Sequence, residues 1–117
     1  MGVDRNDYIV YGYKLPYKLS NEKGIIDLWD DKYLSMIEGH EGEEFTIIID
    51  GMCGEYTVFG LLIRKCDDDY YEGWNFVNLD FNNLDSEKVK SKYREIFELE
   101  KDEFVAEPYL FIFSHYS

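Results

Sequence analysis

The sequence predicts an α+β fold, with a mainly antiparallel sheet of about five strands and two helices in the order β-α-β-β-β-α-β. Residues 44–65 contain two apolar runs around a short turn, and three other segments alternate in the manner of strands. Two further segments repeat apolar residues at helical spacing. The 117 residues, 45% of them hydrophobic, suffice for a core, so residues 1–117 are predicted to form a single domain.

The two apolar runs of residues 44–65 predict an antiparallel hairpin. In its first arm, Phe45, Ile47 and Ile49 share one face of the strand. The second arm, residues 56–63, carries bulky side chains on both faces. We therefore expect other layers on both sides of the hairpin and a position near the centre of the sheet.

The first strand is predicted at residues 7–15, which alternate and stop at Pro16. Gly12 inside this strand indicates a bulge or a closely packed neighbour. Residues 17–24 are polar and rich in turn formers, so they are predicted to form a loop.

A short core-facing helix is predicted after this loop. Its apolar residues recur at i, i+4, i+7 and i+8, on one stripe: Trp29, Tyr33, Met36 and Ile37. Asp27 or Asp30 is expected to cap its start, and Gly39 suits the left-handed position after its end.

The second half of the chain predicts a strand, a helix and a last strand. Apolar and polar residues alternate over Trp74–Phe81, which predicts a strand. A helix is expected from Ser86 to about Leu99. The last predicted strand, Tyr109–Tyr116, follows Pro108. The predicted helix has one apolar stripe: Val89, Tyr93, Ile96 and Phe97. With both helices on one face, the other face of the sheet would be open and apolar, and it is a candidate homodimer interface.

Charge narrows the class of partner. The chain has 25 acidic and 12 basic residues, a formal charge of −13. Contacts to phosphates need Lys and Arg, so we expect no direct nucleic-acid binding and instead a basic protein partner. The acidity is equally consistent with a surface that only keeps the protein in solution. Aromatic residues make up 18%, which indicates exposed rings for recognition or aromatic-rich strands.

Residues suited to catalysis or metal binding are few. His40, His115, Cys53 and Cys66 stand in no recognisable nucleophile or zinc motif. An extended strand between the two cysteines would hold them too far apart for a disulfide. The turn 51–54 lacks the Lys and the Ser or Thr of a P-loop. We therefore predict a protein that is not an enzyme and that uses no cofactor and no metal.

The predicted location is cytoplasmic, without membrane contact. The opening residues lack the basic and apolar regions of a signal peptide, and Asn6 stands where a myristoylation motif has Ser or Thr. No apolar run approaches the roughly 20 residues of a membrane span.

An acidic and aromatic stretch follows the hairpin. Residues 67–87 contain seven acidic residues and no Lys or Arg, interleaved with large rings. Such a stretch suits a basic groove, because charge steers the encounter and the rings hold the complex. The alternative is a solvated acidic loop followed by a core strand. The residues predicted to contact the partner are Asp67, Asp68, Asp69, Tyr70, Tyr71, Glu72 and Trp74.

The opening seventeen residues, MGVDRNDYIVYGYKLPY, resemble the starts of small, acidic, tyrosine-rich proteins encoded by bacteriophages. The resemblance implies expression in the cytoplasm of an infected bacterium. It also implies a role as an inhibitor in host takeover or anti-defence, a class that includes DNA mimics. It implies no functional residue, because no motif accompanies it.

We therefore expect a non-enzymatic, phage-encoded inhibitor or modulator of a basic, nucleic-acid-binding host or defence protein, acting by nucleic-acid mimicry. One alternative is a protein that sequesters a small molecule or nucleotide signal in an aromatic pocket, for which Tyr11, Tyr13 and Trp74 are candidates. A second alternative is an oligomeric structural component.

Overall fold

A computed structural model describes residues 5–21, 24–37, 44–51, 53–67, 84–100 and 102–116. Its strands are β1 (Arg5–Pro16), β2 (Leu19–Asn21), β3 (Gly24–Ile26), β4 (Phe45–Ile49), β5 (Tyr56–Asp67) and β6 (Tyr109–Tyr116). A 3-10 helix covers Asp31–Met36, and one α-helix, α1, covers Ser86–Ile96. The described chain is therefore a mixed α+β structure.

The main sheet has the strand order β4-β5-β1-β6, with every neighbouring pair antiparallel. The mainly antiparallel sheet and the hairpin of β4 and β5 are thereby confirmed. Of the two hairpin arms, β5 lies inside the sheet, whereas β4 is the outer strand of the described part. The predicted strand Trp74–Phe81 lies outside the described residues. Within those residues the main sheet has four strands, and β2 and β3 form a separate pair.

Side chains alternate between the two faces of the sheet as predicted. The first face, which α1 covers, carries Phe45, Ile47 and Ile49. The second face has a core cluster of its own, in which four side chains are at most 2% exposed: Tyr8, Val10, Ile48 and Val58. The expectation of an open second face is wrong at these four residues.

Two glycines let β1 and β5 come close together. Gly12 pairs with Gly60, and a Cβ on Gly12 would lie 2.1 Å from the carbonyl oxygen of Phe59. No real Cβ tolerates a backbone atom at that distance, so the close-neighbour interpretation of Gly12 is confirmed. The irregularity in this strand pair lies elsewhere, between Ile9 and Val10.

The helix α1 begins at a capped turn and buries one stripe. The carboxylate of Asp85 accepts hydrogen bonds from the backbone N–H groups of Glu87 (3.0 Å) and Lys88 (3.4 Å). The predicted stripe is confirmed. Val89, Ile96 and Phe97 are buried, and Tyr93 is half-buried.

Aromatic rings join α1 to the sheet. Phe59 of β5 is fully buried, and its ring centre lies 5.8 Å from that of Phe45, 5.9 Å from Tyr93 and 5.7 Å from Phe97. These distances are in the favourable range for aromatic pairs. Phe59 therefore connects two strands and the helix in one core.

The helix predicted over residues 29–37 is instead a 3-10 helix at Asp31–Met36. Tyr33 and Met36 are buried, and residues three apart lie directly above one another in this type of helix. Ile37 is extended and forms a parallel bridge to β4, which ends the helix after six residues. The sequence pattern identified the buried residues but not the type of helix.

The prediction of a loop over residues 17–24 is wrong, because β2 and the first residue of β3 lie there. Strands of three residues are too short to show an alternating pattern. Gly24, the first residue of β3, has φ +122°, a conformation that favours glycine. Leu19 and Ile26 of this small hairpin pack against the first-face core.

Candidate recognition surface

The predicted contact residues fall almost entirely outside the described part of the chain. Asp67 ends β5, where its backbone pairs with Asn6 of β1. The side chain of Asp67 lies outside the described residues, as do Asp68, Asp69, Tyr70, Tyr71, Glu72 and Trp74. The contact role of these seven residues stays a prediction.

Trp29, which was predicted to face the core, projects from the surface. Its side chain is 57% exposed, although the preceding Leu28 is buried. The carboxylate of Asp27 accepts a hydrogen bond of 3.0 Å from the backbone N–H of Trp29, and Asp30 caps the 3-10 helix that follows. Buried and hydrogen-bonded neighbours therefore hold the backbone from which the indole projects.

A groove lies beside Trp29. It has a volume of about 220 Å³, and its apolar lining includes Tyr17, Ile26 and Ile49. Ile25 of β3 lies on the same groove and is 80% exposed. An exposed tryptophan and isoleucine around an apolar groove have the composition of a contact site.

Phe104 is the second projecting ring, with 88% of its side chain exposed. Its neighbours on both sides are anchored. The carbonyl oxygen of Glu103 accepts a hydrogen bond of 2.9 Å from Nε of Arg94, and Val105 is buried. The carbonyl oxygen of Ala106 accepts a hydrogen bond of 2.7 Å from the Tyr13 hydroxyl. Phe104 therefore projects from a backbone that is held in place, as Trp29 does.

Both rings are flanked by exposed carboxylates. Trp29 stands between Asp27 and Asp30, and Phe104 lies within residues 98–107, which contain five acidic residues and one lysine. We define the acidic-aromatic surface as these two rings with their exposed acidic neighbours: Trp29, Phe104, Asp27, Asp30, Glu98, Glu100, Asp102 and Glu103.

The two halves of the acidic-aromatic surface meet at the C-terminal end of α1. The Tyr33 hydroxyl donates a hydrogen bond of 3.0 Å to the carbonyl oxygen of Ile96, and Lys32 lies 3.6 Å from a carboxylate oxygen of Glu98. These contacts join two segments. One is the 3-10 helix, which follows Trp29, and the other is the C-terminal end of α1, which precedes Phe104. The Lys32–Glu98 pair therefore links the segment that carries Trp29 to the segment that carries Phe104.

The lysines of α1 pair with carboxylates that lie outside the acidic-aromatic surface. Lys88 pairs with Glu44, and Lys90 pairs with Glu107, whose hydrogen bond raises the pKa of Lys90. Lys92 lies 3.8 Å from a carboxylate oxygen of Glu95, one turn on. These three lysines therefore do not neutralise the carboxylates of the acidic-aromatic surface.

Glu98 adopts a conformation that glycine would adopt more easily. It has φ +55° directly after the helix cap, where the N–H of Leu99 donates to the carbonyl oxygen of Arg94 (2.9 Å) and that of Glu98 to Glu95 (3.4 Å). This is the Schellman pattern that ends many helices, usually with glycine at the left-handed position. Its carboxylate belongs to the acidic-aromatic surface.

Glu98→Gly is therefore expected to raise the free energy of unfolding by about 0.5–1 kcal/mol, as chemical denaturation would measure. The exposed pair with Lys32 contributes little against this gain. The matched control is Glu95→Gly inside the helix, which should lose about 1 kcal/mol. A loss in both variants would contradict the stated role of the left-handed conformation.

Tyr13, a candidate ring for a nucleotide pocket, belongs to the core. Its side chain is 6% exposed and its ring centre lies 5.2 Å from that of Tyr93. Burial raises the pKa of Tyr13 to about 12, and the nearby Glu107 adds to the shift. A ring packed and hydrogen-bonded in this way is not presented to a ligand. Tyr11 is also half-buried against the same core.

The described histidine and cysteine lie in different environments. His115 is 1% exposed, and its Nδ1 is 2.8 Å from the hydroxyl of Tyr56. Cys53 is an exposed free thiol in the β4–β5 turn, which the carboxylate of Asp50 holds by accepting from the N–H groups of Cys53 and Glu55. Within the described ranges, no three His, Cys, Asp or Glu residues are grouped as a metal site would need.

No known protein family, curated protein or solved structure matches this chain. Among the described residues, no helix has both the length and the apolar composition needed to cross a membrane.

Proposed function

We propose that this chain is a non-enzymatic acidic binding protein that contacts a basic protein partner through its acidic-aromatic surface. One observation carries the proposal: Trp29 and Phe104 project from anchored backbone and stand among exposed carboxylates. Backbone that is already held in place loses little freedom on binding, and tryptophan is common among the residues that dominate binding energy.

The charge of the surface determines the class of partner. A chain of formal charge −13 repels phosphates but attracts a protein that itself binds them. Carboxylates spaced along residues 98–107 would occupy the positions of phosphates in the nucleic-acid channel of such a protein. The proposed role is therefore inhibition or modulation of a nucleic-acid-binding protein by mimicry. We further propose, from the resemblance of residues 1–17, that the chain is phage-encoded and acts on a host or defence protein in the bacterial cytoplasm.

The test is binding to a purified basic partner obtained by capture from a bacterial lysate. Trp29→Ala and Phe104→Ala are each expected to weaken binding by about 30-fold, the effect of losing a major contact residue. Raising the salt concentration from about 50 mM to about 500 mM should weaken binding of the unaltered protein steeply, because the charges are exposed.

Ile112→Ala is the matched control, since Ile112 is 59% exposed but lies on β6, among uncharged residues. It should bind as the unaltered protein does. Binding that is insensitive to salt, or that survives loss of both rings, would contradict the proposal.

A second candidate function, an oligomeric component, has support from β6. Leu110 and Ile112 share one face of this strand and are both exposed, which leaves an uncharged apolar strip. Light scattering over a range of protein concentrations distinguishes this function from that of a monomeric inhibitor.

A further inference from the structure

The groove beside Trp29 is lined mainly by apolar side chains. Ile49 in this lining is 4% exposed and belongs to the first-face core, so part of the groove is the outer surface of packed side chains. Its volume is about 220 Å³. An apolar cavity of about 150 Å³ already holds a benzene molecule, so the groove has room for one branched or aromatic side chain.

Negative charge borders the groove. Asp27 lies on the groove itself and Asp30 follows Trp29 directly, whereas Lys18 is the one basic side chain among the described residues that line it. Both carboxylates are held by backbone N–H groups: Asp27 accepts from Trp29 and Asp30 from Lys32. The negative border is therefore a fixed feature of the turn that presents the indole.

We propose that this groove binds a single aliphatic side chain that the partner carries between basic residues. The inference rests on the proposed function and specifies the sequence that the partner presents. The apolar lining receives the aliphatic group, while the neighbouring Lys or Arg residues lie against Asp27 and Asp30. Each part of the partner segment thus meets a surface of complementary chemistry.

Charge and shape favour this occupant over the others. A second copy of the chain would bring its own formal charge of −13 to an acidic border. The groove is open to solvent rather than enclosed, which suits a side chain attached to a longer segment rather than an enclosed free molecule. Ile25 of β3, which is exposed, also lines the groove and adds to its apolar contact area.

Two synthetic probes test the inference: a lysine peptide with one central leucine, and the same peptide with glycine in place of leucine. Calorimetry at low salt should show that the leucine peptide binds about tenfold more tightly, the effect of partly burying one aliphatic side chain. Trp29→Ala should remove this preference, whereas Ile112→Ala should retain it. Circular dichroism of each variant verifies that it is folded.

The outcomes separate the inference from the proposed function. Equal affinity for the two peptides, or a leucine preference that survives Trp29→Ala, overturns the groove assignment and leaves charge-driven binding in place. Failure of both peptides to bind at low salt contradicts the proposed function and the groove assignment together.

Discussion

Gly12→Ala is expected to lower the free energy of unfolding by about 3 kcal/mol or more, the upper range for overpacking a core. The added Cβ would lie 2.1 Å from the carbonyl oxygen of Phe59 and 2.5 Å from Cα of Gly60. Both are backbone atoms of β5, so no side chain can rotate to make room. Relief requires β1 and β5 to move apart, and these two strands form the interior of the main sheet.

Urea denaturation followed by circular dichroism measures this loss. Gly51→Ala is the matched control, because a Cβ on Gly51 would have no atom within 4 Å. That variant should change stability by about 0.5 kcal/mol at most. Equal stability of the two variants would show that the close approach of the strands does not limit the side chain at position 12.

Phe59→Ala is expected to lose about 3–5 kcal/mol, the usual range for removing a fully buried phenylalanine. The ring of Phe59 contacts those of Phe45, Tyr93 and Phe97, so its removal leaves a cavity between two strands and α1. A total stability of about 5–15 kcal/mol is typical of a domain, and a loss of this size approaches it. Thermal and chemical unfolding both report the loss.

The same substitution at an exposed ring provides the comparison. Phe104→Ala should alter stability by about 0.5 kcal/mol or less, because 88% of that side chain is already in solvent. A large loss at position 104 would mean that this ring supports the fold, and its proposed role in binding would then be withdrawn. The comparison therefore also validates the binding measurements made with the Phe104 variant.

Much of the fold follows from local patterns in the sequence. The alternation of Phe45, Ile47 and Ile49 correctly placed one face of β4, and the bounds of β6 agree with the predicted Tyr109–Tyr116. The helix that begins at Ser86 was predicted with its start and its buried stripe, although it ends at Ile96 rather than near Leu99. These features depend on side-chain periodicity and on hydrogen bonds between residues close in sequence, both of which a sequence displays directly.

Features set by distant contacts were harder to predict. The 3-10 helix after Trp29 ends at Met36, where Ile37 extends to bridge Ile47, a contact that the helical pattern does not show. The second face of the sheet is buried at Tyr8 and Val10, although two helices on the first face predicted that it would be open. Both outcomes depend on packing between segments rather than on the pattern within one of them.

The two projecting rings were also missed by sequence reasoning. Trp29 fits a helical stripe, and only its acidic surroundings, with Asp27 and Asp30 on either side, signal an exposed position. Phe104 stands in an acidic segment. Such a composition favours an exposed position for the ring, but composition alone does not determine its burial. The hydrogen bonds by which Arg94 and Tyr13 anchor its neighbours join residues that are distant in sequence, so no local pattern displays them.

The pairing of β1 has a consequence for the way the chain folds. Tyr8 pairs with Lys65 of β5 on one side and with Phe113 of β6 on the other, so both partners of β1 are far away in sequence. Closing such long loops costs entropy before the contacts form, and chains with many distant contacts fold slowly. During synthesis β1 therefore leaves the ribosome well before either partner strand, and the four-stranded sheet is complete only after β6 has followed.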